Sequence, residues 1–360
     1  MISKHPHVII VGAGIVGTSL AYHLARQQAR VTLLDKAPKP AYDVTEKSFA
    51  WINVTHSVSE TYRTLRQQAI ADWHRLENEL NGQLTIDWSG AITWYSDTAE
   101  TARAAGELAN FGCQVRLIDQ QEIRLLEPNL KHAPPQAMFA EGEGAINPTL
   151  TAEMFITAAR EAGATIQLGN EVVSLLTKGP RVVGVVTANG TMTADLVVLA
   201  AGVHATELCQ PIDVTLPIDV SPAILLTFRN HHRFVNRIVS NPFLEIRAAS
   251  DTLTLAAEDY IDESTENNPR AIAQRTLERM KEHWQGAKQV KLVHVSVGKR
   301  PIPQDGLPLI GRTAHIDGLY VSVMHSGVTL AAVAGRLAAA EILSNQDDAI
   351  LSPYRPERFA

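Results

Sequence analysis

Cysteine is scarce in this chain. Its 360 residues include two, Cys113 and Cys209, and neither belongs to a Cys-x-x-Cys pair. That excludes a disulfide framework and a thiolate zinc site, and it fits a reducing, cytoplasmic compartment. Excess positive charge is absent too. The 32 Lys and Arg face 38 Asp and Glu, a formal net charge of −6, so no nucleic acid partner is expected. No internal repeat, low-complexity tract or long linker interrupts the chain. A clean membrane span is also missing. The apolar run Val8–Ala25 follows Lys4 as a signal peptide might, but it holds Gly12, Gly14 and Gly17 and leads into an amphipathic pattern. The run Leu319–Leu343 reaches the roughly 20 residues of a span. His325, Arg336 and Glu341 interrupt it, and Gly327 and Gly335 are expected to break its helix. It reads as a strand, a turn and a buried helix.

What is present is ordinary globular material, 45% hydrophobic and 19% charged. The length suggests about two domains. His7–Val11 reads as a buried strand, Gly14–Gln28 as a helix and Val31–Asp35 as a second strand, a βαβ unit of about 30 residues. Tyr62–Leu80 has Leu65, Ala69, Trp73, Leu76 and Leu80 at helical spacing. Strand-like Ala91–Tyr95 and Val115–Ile118 alternate with a helical Asp97–Phe111. A helix is expected over Pro148–Ala162, and short strands follow up to Leu196–Leu199. Asn189-Gly190 among them predicts a type I′ hairpin. Ile218–Leu255 is strand-rich, Pro269–Trp284 helical, Leu292–Val297 a strand and Thr329–Leu343 a helix.

Gly12-Ala13-Gly14-Ile15-Val16-Gly17 fits G-x-G-x-x-G. It follows a strand, opens a helix, and is followed 18 residues after Gly17 by Asp35 at the end of the next strand. That context marks a dinucleotide site. Gly12 permits the tight turn, Gly14 lets the backbone approach a pyrophosphate, and Gly17 allows close helix–strand packing. The helix N-terminus favours phosphate. Asp35, next to Lys36, would accept the ribose hydroxyls. An acid there argues against the 2′-phosphate of NADP. The early motif and the irregular stretch after Asp35 favour FAD over NAD.

With these features the chain resembles the D-amino-acid oxidase superfamily of FAD-dependent oxidoreductases, which includes glycine oxidase, sarcosine oxidase and D-amino acid dehydrogenases. Five blocks carry the likeness: Val8–Asp35; Ser48-Phe49-Ala50-Trp51-Ile52-Asn53; Glu143-Gly144-Ala145-Ile146-Asn147-Pro148; Ala194–Gly202; and the pair Gly298–Gly311 with Gly318–Glu341. The resemblance implies an α/β fold in which a Rossmann-like FAD-binding domain (1–83, 143–212, 298–360) is interleaved with an α+β substrate domain built on an antiparallel sheet (84–142, 213–297). It places Ser48–Asn53 along the pyrophosphate and flavin ring. Val172 or Val173 would sit beside adenine, and Ala201 and Gly202 near the diphosphate. Ser326, Gly327, Val328, Thr329 and Leu330 would lie at the pyrimidine edge, where a helix N-terminus stabilises negative charge.

The resemblance also makes Arg300 the residue that grips a substrate carboxylate, which a planar guanidinium can do bidentately. No cysteine lies between Gly298 and Gly311, so the FAD is expected to be non-covalent. His325 is a second candidate for the chemistry. His56 and Arg247 are further candidates beside the ring or substrate, and Trp94 and Tyr95 for the pocket wall or the core. The adjacent His231 and His232 lie in a polar stretch and read as solvated, not as metal ligands. The expected reaction is oxidation of the C–N bond of a small amino acid or N-substituted amino acid, with hydride passing to flavin N5. Oxidation of a 2-hydroxy acid, or service as the flavin subunit of a hetero-oligomer, remain open alternatives. So does the electron acceptor: oxygen, a quinone at a membrane surface, or a partner protein.

Overall fold

The computed structural model describes residues 5–259 and 267–359. Lys4, ahead of the first apolar run, lies outside them. The described residues form eight α-helices: α1 Ile15–Arg26, α2 Glu60–Glu79, α3 Thr98–Asn110, α4 Gln120–Leu126, α5 Pro148–Glu161, α6 Ala205–Cys209, α7 Pro269–His283 and α8 Gly327–Ser344. Local chemistry sets their starts. Asn147 accepts the backbone N–H of Thr149 and Leu150 ahead of Pro148, and Asn268 does the same for Arg270 and Ala271 ahead of Pro269. An Asn cap followed by Pro in the first turn is a strong start signal.

Two large sheets organise the chain. The first has six strands in the order 309–312, 319–323, 196–199, 7–11, 30–35, 165–168. All neighbours are parallel except the edge pair 309–312 with 319–323. His7–Val11 lies near its middle, and its apolar run is buried on both faces, as a parallel sheet requires. Val8 and Ile10 pack with Leu20 and Leu24 of α1 and Leu330 and Leu337 of α8. Ile9 and Val11 face the other way, toward Leu175, Val182 and Val185 of a three-stranded antiparallel sheet.

The second sheet has eight strands in the order 291–303, 218–229, 253–259, 244–250, 238–241, 91–93, 136–140, 115–119. It is antiparallel except where 238–241 pairs with 91–93. Ile224, Leu226, Ile246 and Ala256 pack under Ile272 and Met280 of α7. The opposite face, with Leu225, Ile238, Ala91 and Met138, packs on Phe49, Trp51 and Val54. Strands of the first sheet come from 7–35, 165–199 and 309–323, and those of the second from 91–140 and 218–303. The chain therefore crosses repeatedly between a parallel sheet and an antiparallel one.

Three expectations need correction. The hairpin after strand 182–187 turns through Ala188 and Asn189, and neither has a positive φ, so the turn is not type I′. Instead the Thr187 hydroxyl takes the Asn189 N–H and donates to the Gly190 carbonyl, while Gly190 alone has φ +125°. The strand expected at 292–297 continues from Lys291 through Pro303 and carries Arg300 within it. Gly335 does not break a helix but lies inside α8, where α1 crosses; a Cβ there would come 2.3 Å from Ser19 Oγ. By length and composition α8 could cross a membrane, yet most of it is buried against its neighbours.

His23 lies in that crossing. Its ring bonds the Ser19 carbonyl at 2.8 Å and meets the Arg75 guanidinium at 3.1 Å. Burial pushes its pKa down to about 4. The folded chain thus holds a neutral imidazole that the unfolded chain protonates below about 6.5, and this contribution to stability is lost as pH falls from 6.5 toward 4. Replacing His23 with Gln is expected to remove about 2 kcal/mol of the acid-side destabilisation between pH 6.5 and 5. Denaturant unfolding of both proteins at several pH values measures this; parallel pH curves would contradict it.

Candidate functional site

The two sheets meet around a cavity of about 1280 Å³. Five of the seven helices longer than one turn and a half start on a side-chain cap: α2 on Ser59, α3 on Asp97, α4 on Asp119, α5 on Asn147 and α7 on Asn268. In the other two described helices of that length, α1 and α8, the N-cap residues Gly14 and Ser326 make no such bond, and both helices open into the cavity; at α1 one N–H, that of Ile15, is taken by Thr45. Unsatisfied N–H groups and a positive dipole end at two points of one cavity are what a group with two separated electron-rich parts requires.

The α1 end is shaped by glycine. Gly12 has φ +109°, and a Cβ there would lie 2.5 Å from the Ala200 carbonyl oxygen. A Cβ at Gly17 would lie 1.9 Å from the Gly12 carbonyl oxygen, so Gly17 serves helix–strand contact and does not line the cavity. Gly14, Ile15 and Val16 do line it. Asp35 also lines it; its two carboxylate oxygens accept the N–H of Ala13 at 2.6 Å and of Ala37 at 2.7 Å. Each oxygen keeps a lone pair for a ribose hydroxyl. Ala13 itself is buried behind the wall. Lys36, Val172, Val173, Ala201 and Gly202 complete this end. Thr45, which the sequence did not single out, accepts the Ile15 N–H at 3.2 Å and also lines the cavity.

The α8 end meets the loop 48–55. Ser48, Phe49, Ala50 and Trp51 line the cavity, whereas Ile52 and Leu330 are buried in the adjoining core. Ser326, Gly327, Val328 and Thr329 line it as expected. Ser326 holds a left-handed φ of +57° at the start of α8. The Arg66 guanidinium fastens these parts together. It is buried, and it donates to the Asn53 carbonyl at 3.1 Å, to the Asn53 side-chain oxygen and to Ser326 Oγ. The Thr329 hydroxyl donates to the Trp51 carbonyl at 3.0 Å.

Behind the loop stands Glu143. Its carboxylate accepts the backbone N–H of Val54 at 2.7 Å and of Thr55 at 2.8 Å, and the Trp51 indole N–H at 2.9 Å. Burial pushes this carboxyl up to about 7 against those hydrogen bonds. Arg247 does a similar task and is not the substrate contact considered from sequence. It lies outside the cavity lining, donates to the Phe49 carbonyl at 2.7 Å and the Ile146 carbonyl at 3.2 Å, and is lowered to about 10 by burial. Neither Arg66 nor Glu143 carries a sequence signal of this role beyond Glu143 opening the third block.

Arg300 lines the cavity from strand 291–303. It donates to Asp259 at 2.9 Å and to the Ser221 hydroxyl at 2.8 Å. His325 and His56 also line the cavity, and burial lowers both to about 4, helped by Arg300 and Arg66 for His325 and by Arg66 for His56. Both rings are neutral at pH 7. Trp94 and Tyr95 line a smaller neighbouring cavity of about 350 Å³, which shares His56 and Ser240–Pro242 with the main one. His231 and His232 are exposed and line neither cavity.

Glu143→Gln puts an amide N–H₂ among donors. It is expected to cost about 1–3 kcal/mol, read as a lower Tm, and to speed hydrogen exchange of the Val54 and Thr55 amides. Unchanged protection at those two amides would remove the assigned role.

The family model for FAD-dependent oxidoreductases, known as DAO, matches residues 7–341. The oxidoreductase YurR of Bacillus subtilis is 26% identical over 378 residues, covering 97% of this chain and 98% of that protein. A glycine oxidase of Pseudomonas aeruginosa is 25% identical, covering 97% and 98%. The crystal structure of glycine oxidase from Geobacillus kaustophilus superposes with a TM-score of 0.87 at 22% identity, over 98% of each chain. The glycine-rich turn, the acid that follows it and the two open helix ends suit FAD, and the chain belongs to the DAO family of FAD-dependent oxidoreductases.

Proposed function

We propose that this enzyme oxidises the C–N bond of a small amino acid or N-substituted amino acid. The observation that carries the reading is Arg300 on the antiparallel sheet, facing the same cavity as the uncapped start of α8. The named activity of the Pseudomonas relative, glycine oxidase, supports the same substrate class.

In this reading Gly12, Gly14 and the start of α1 would hold the pyrophosphate, and Asp35 the adenosine ribose. Loop 48–53 and Ser326–Thr329 would flank the ring. Bound FAD supplies a two-electron acceptor for hydride. Neither cysteine lines the cavity, which supports non-covalent binding. Residues 1–83, 143–212 and 298–360 would form the FAD-binding domain and the rest the substrate domain, with Arg300 presented to the cavity on the long strand 291–303.

Arg300 would orient the substrate through its carboxylate. Its present partner Asp259 is largely exposed, and such pairs contribute only about 0–1 kcal/mol. A substrate carboxylate can therefore join or displace it. The amine must enter deprotonated, so that its lone pair can form the C=N bond as the α-hydrogen leaves with its electron pair. Water then hydrolyses the imine to a carbonyl compound and an amine. Neutral His325 and His56 add no positive charge that would oppose the iminium as hydride leaves the α-carbon.

The purified holoenzyme is expected to bleach anaerobically with amino or N-methyl amino acids and not with 2-hydroxy acids. Bleaching by hydroxy acids alone would overturn the C–N assignment. Arg300→Ala is expected to raise the KM for a carboxylate substrate roughly 30- to 100-fold, corresponding to about 2–3 kcal/mol for a lost ion pair. An unchanged KM would take the role from Arg300.

A further inference from the structure

One face of the eight-stranded sheet floors the substrate end of the cavity. Across it, Glu245 stands opposite Ala257, and Asp259 is the next residue of that strand on the same face. Asp259 and Gly298 flank Ala223, and Arg300 stands opposite Ser221 two residues away. Glu245, Asp259 and Arg300 thus share one surface, and all three line the cavity.

The charges around this end are mostly matched. Arg300 pairs with Asp259 at 2.9 Å, and Arg279 with Glu258 at 3.5 Å. Arg66 favours the ionised form of Glu143. His325 and His56 are neutral. Lys299 lines the cavity as well, but it is exposed and alternates with Arg300 along the strand, away from this floor. On the floor itself Glu245 is the acid left over: among the described residues it makes no salt bridge, and Ser240 is its cross-strand neighbour. Burial pushes its carboxyl up to about 7, Asp259 adds to that, and Arg300 only partly offsets it. A carboxylate taken from water without a cation is costly, and a ligand cation relieves that cost. A neutral amino acid, whose α-amine reacts deprotonated, brings only its carboxylate and leaves Glu245 without a cation. A second carboxylate on the substrate would worsen it. A cationic nitrogen on the substrate's side chain supplies that cation.

We propose that Glu245 forms a cation subsite and that the enzyme prefers amino acids with a basic side chain, whose ammonium or guanidinium meets Glu245 while the carboxylate meets Arg300. The inference rests on the C–N oxidation reading and on Arg300 as the carboxylate anchor.

Anaerobic stopped-flow reduction of the holoenzyme tests it, with both enantiomers of lysine, Nε-acetyl-lysine, norleucine, arginine and citrulline. The wild-type second-order rate constant of reduction is expected to be at least tenfold higher for lysine than for Nε-acetyl-lysine or norleucine, and for arginine than for citrulline. In Glu245→Gln the lysine-to-norleucine ratio should collapse to about two or less, with Glu245→Asp retaining part of it. The wild-type comparison decides the matter even if the variants fold poorly. A wild-type ratio near one overturns the proposal. So does a variant in which lysine and norleucine slow by the same factor, which would make Glu245 a partner of the α-amine. Reduction by neutral amino acids without a basic preference removes this inference alone. Reduction by no amino acid removes the C–N reading with it.

Discussion

The close crossing of α1 and α8 is the constraint from which the site follows. These helices begin 312 residues apart in sequence, at Ile15 and Gly327. Gly335 lets α8 settle onto Ser19 and His23, and Ser19 Oγ donates to the Ala331 carbonyl at 2.7 Å. Both helices rest on one face of the parallel sheet, so their N-termini open into one space. Neither N-cap residue, Gly14 or Ser326, caps its helix with a side chain, whereas those of the five other longer helices among the described residues do. A folded chain seldom leaves two helix starts unsatisfied side by side. Here the open donors are aimed at a shared cavity, which makes them binding groups.

The second sheet supplies what the first cannot. A parallel sheet covered on both faces offers its ligand only the loops at its strand ends. The antiparallel sheet instead turns a whole face toward the cavity, and alternate residues of neighbouring strands form a continuous floor. That is how residues as far apart in sequence as Glu245, Asp259 and Arg300 come to share one surface. The loop 48–55 lies between the two sheets, gripped by Arg66, Glu143 and Arg247. Charged side chains are spent on backbone here because the loop has no extensive ladder of its own: only Trp51 and Ile52 pair as a strand.

How much of this could be read from sequence depended on range. The βαβ unit was legible because turn, helix and acid fall within about 30 residues, each with its own local reason. Helix bounds agreed closely for the same cause: the Asn-Pro starts at 147 and 268 and the apolar spacing of α2 act within a turn or two. Gly335 was misread because a glycine in a helical pattern looks alike whether it ends a helix or admits a neighbour. The hairpin at 187–190 was found but its turn was not, since Thr187 took over the hydrogen bonding that a type I′ turn would need. Arg247 was misjudged because an arginine on a strand of the substrate half gives no sign of which carbonyls it will meet. Arg66, Glu143 and Glu245 were invisible as site residues for that reason too. Part of what surrounds each comes from far along the chain: Ser326 for Arg66, Val54 and Thr55 for Glu143, and Arg300 for Glu245.

The anchoring of loop 48–55 has a consequence for how the protein is made. The loop itself emerges early in synthesis, but its fastenings come from position 143, then 247, and last from Ser326 and Thr329. Until the last of these has joined the chain, the wall of the cavity lacks its full set of fastenings. Pairings of such long range form slowly because much of the chain must be ordered before they can close. The nucleotide turn at 12–17 is complete within the first tenth of the chain, while the pocket it serves takes shape only as the last tenth folds back upon it. Assembly of the site and completion of the fold are one event.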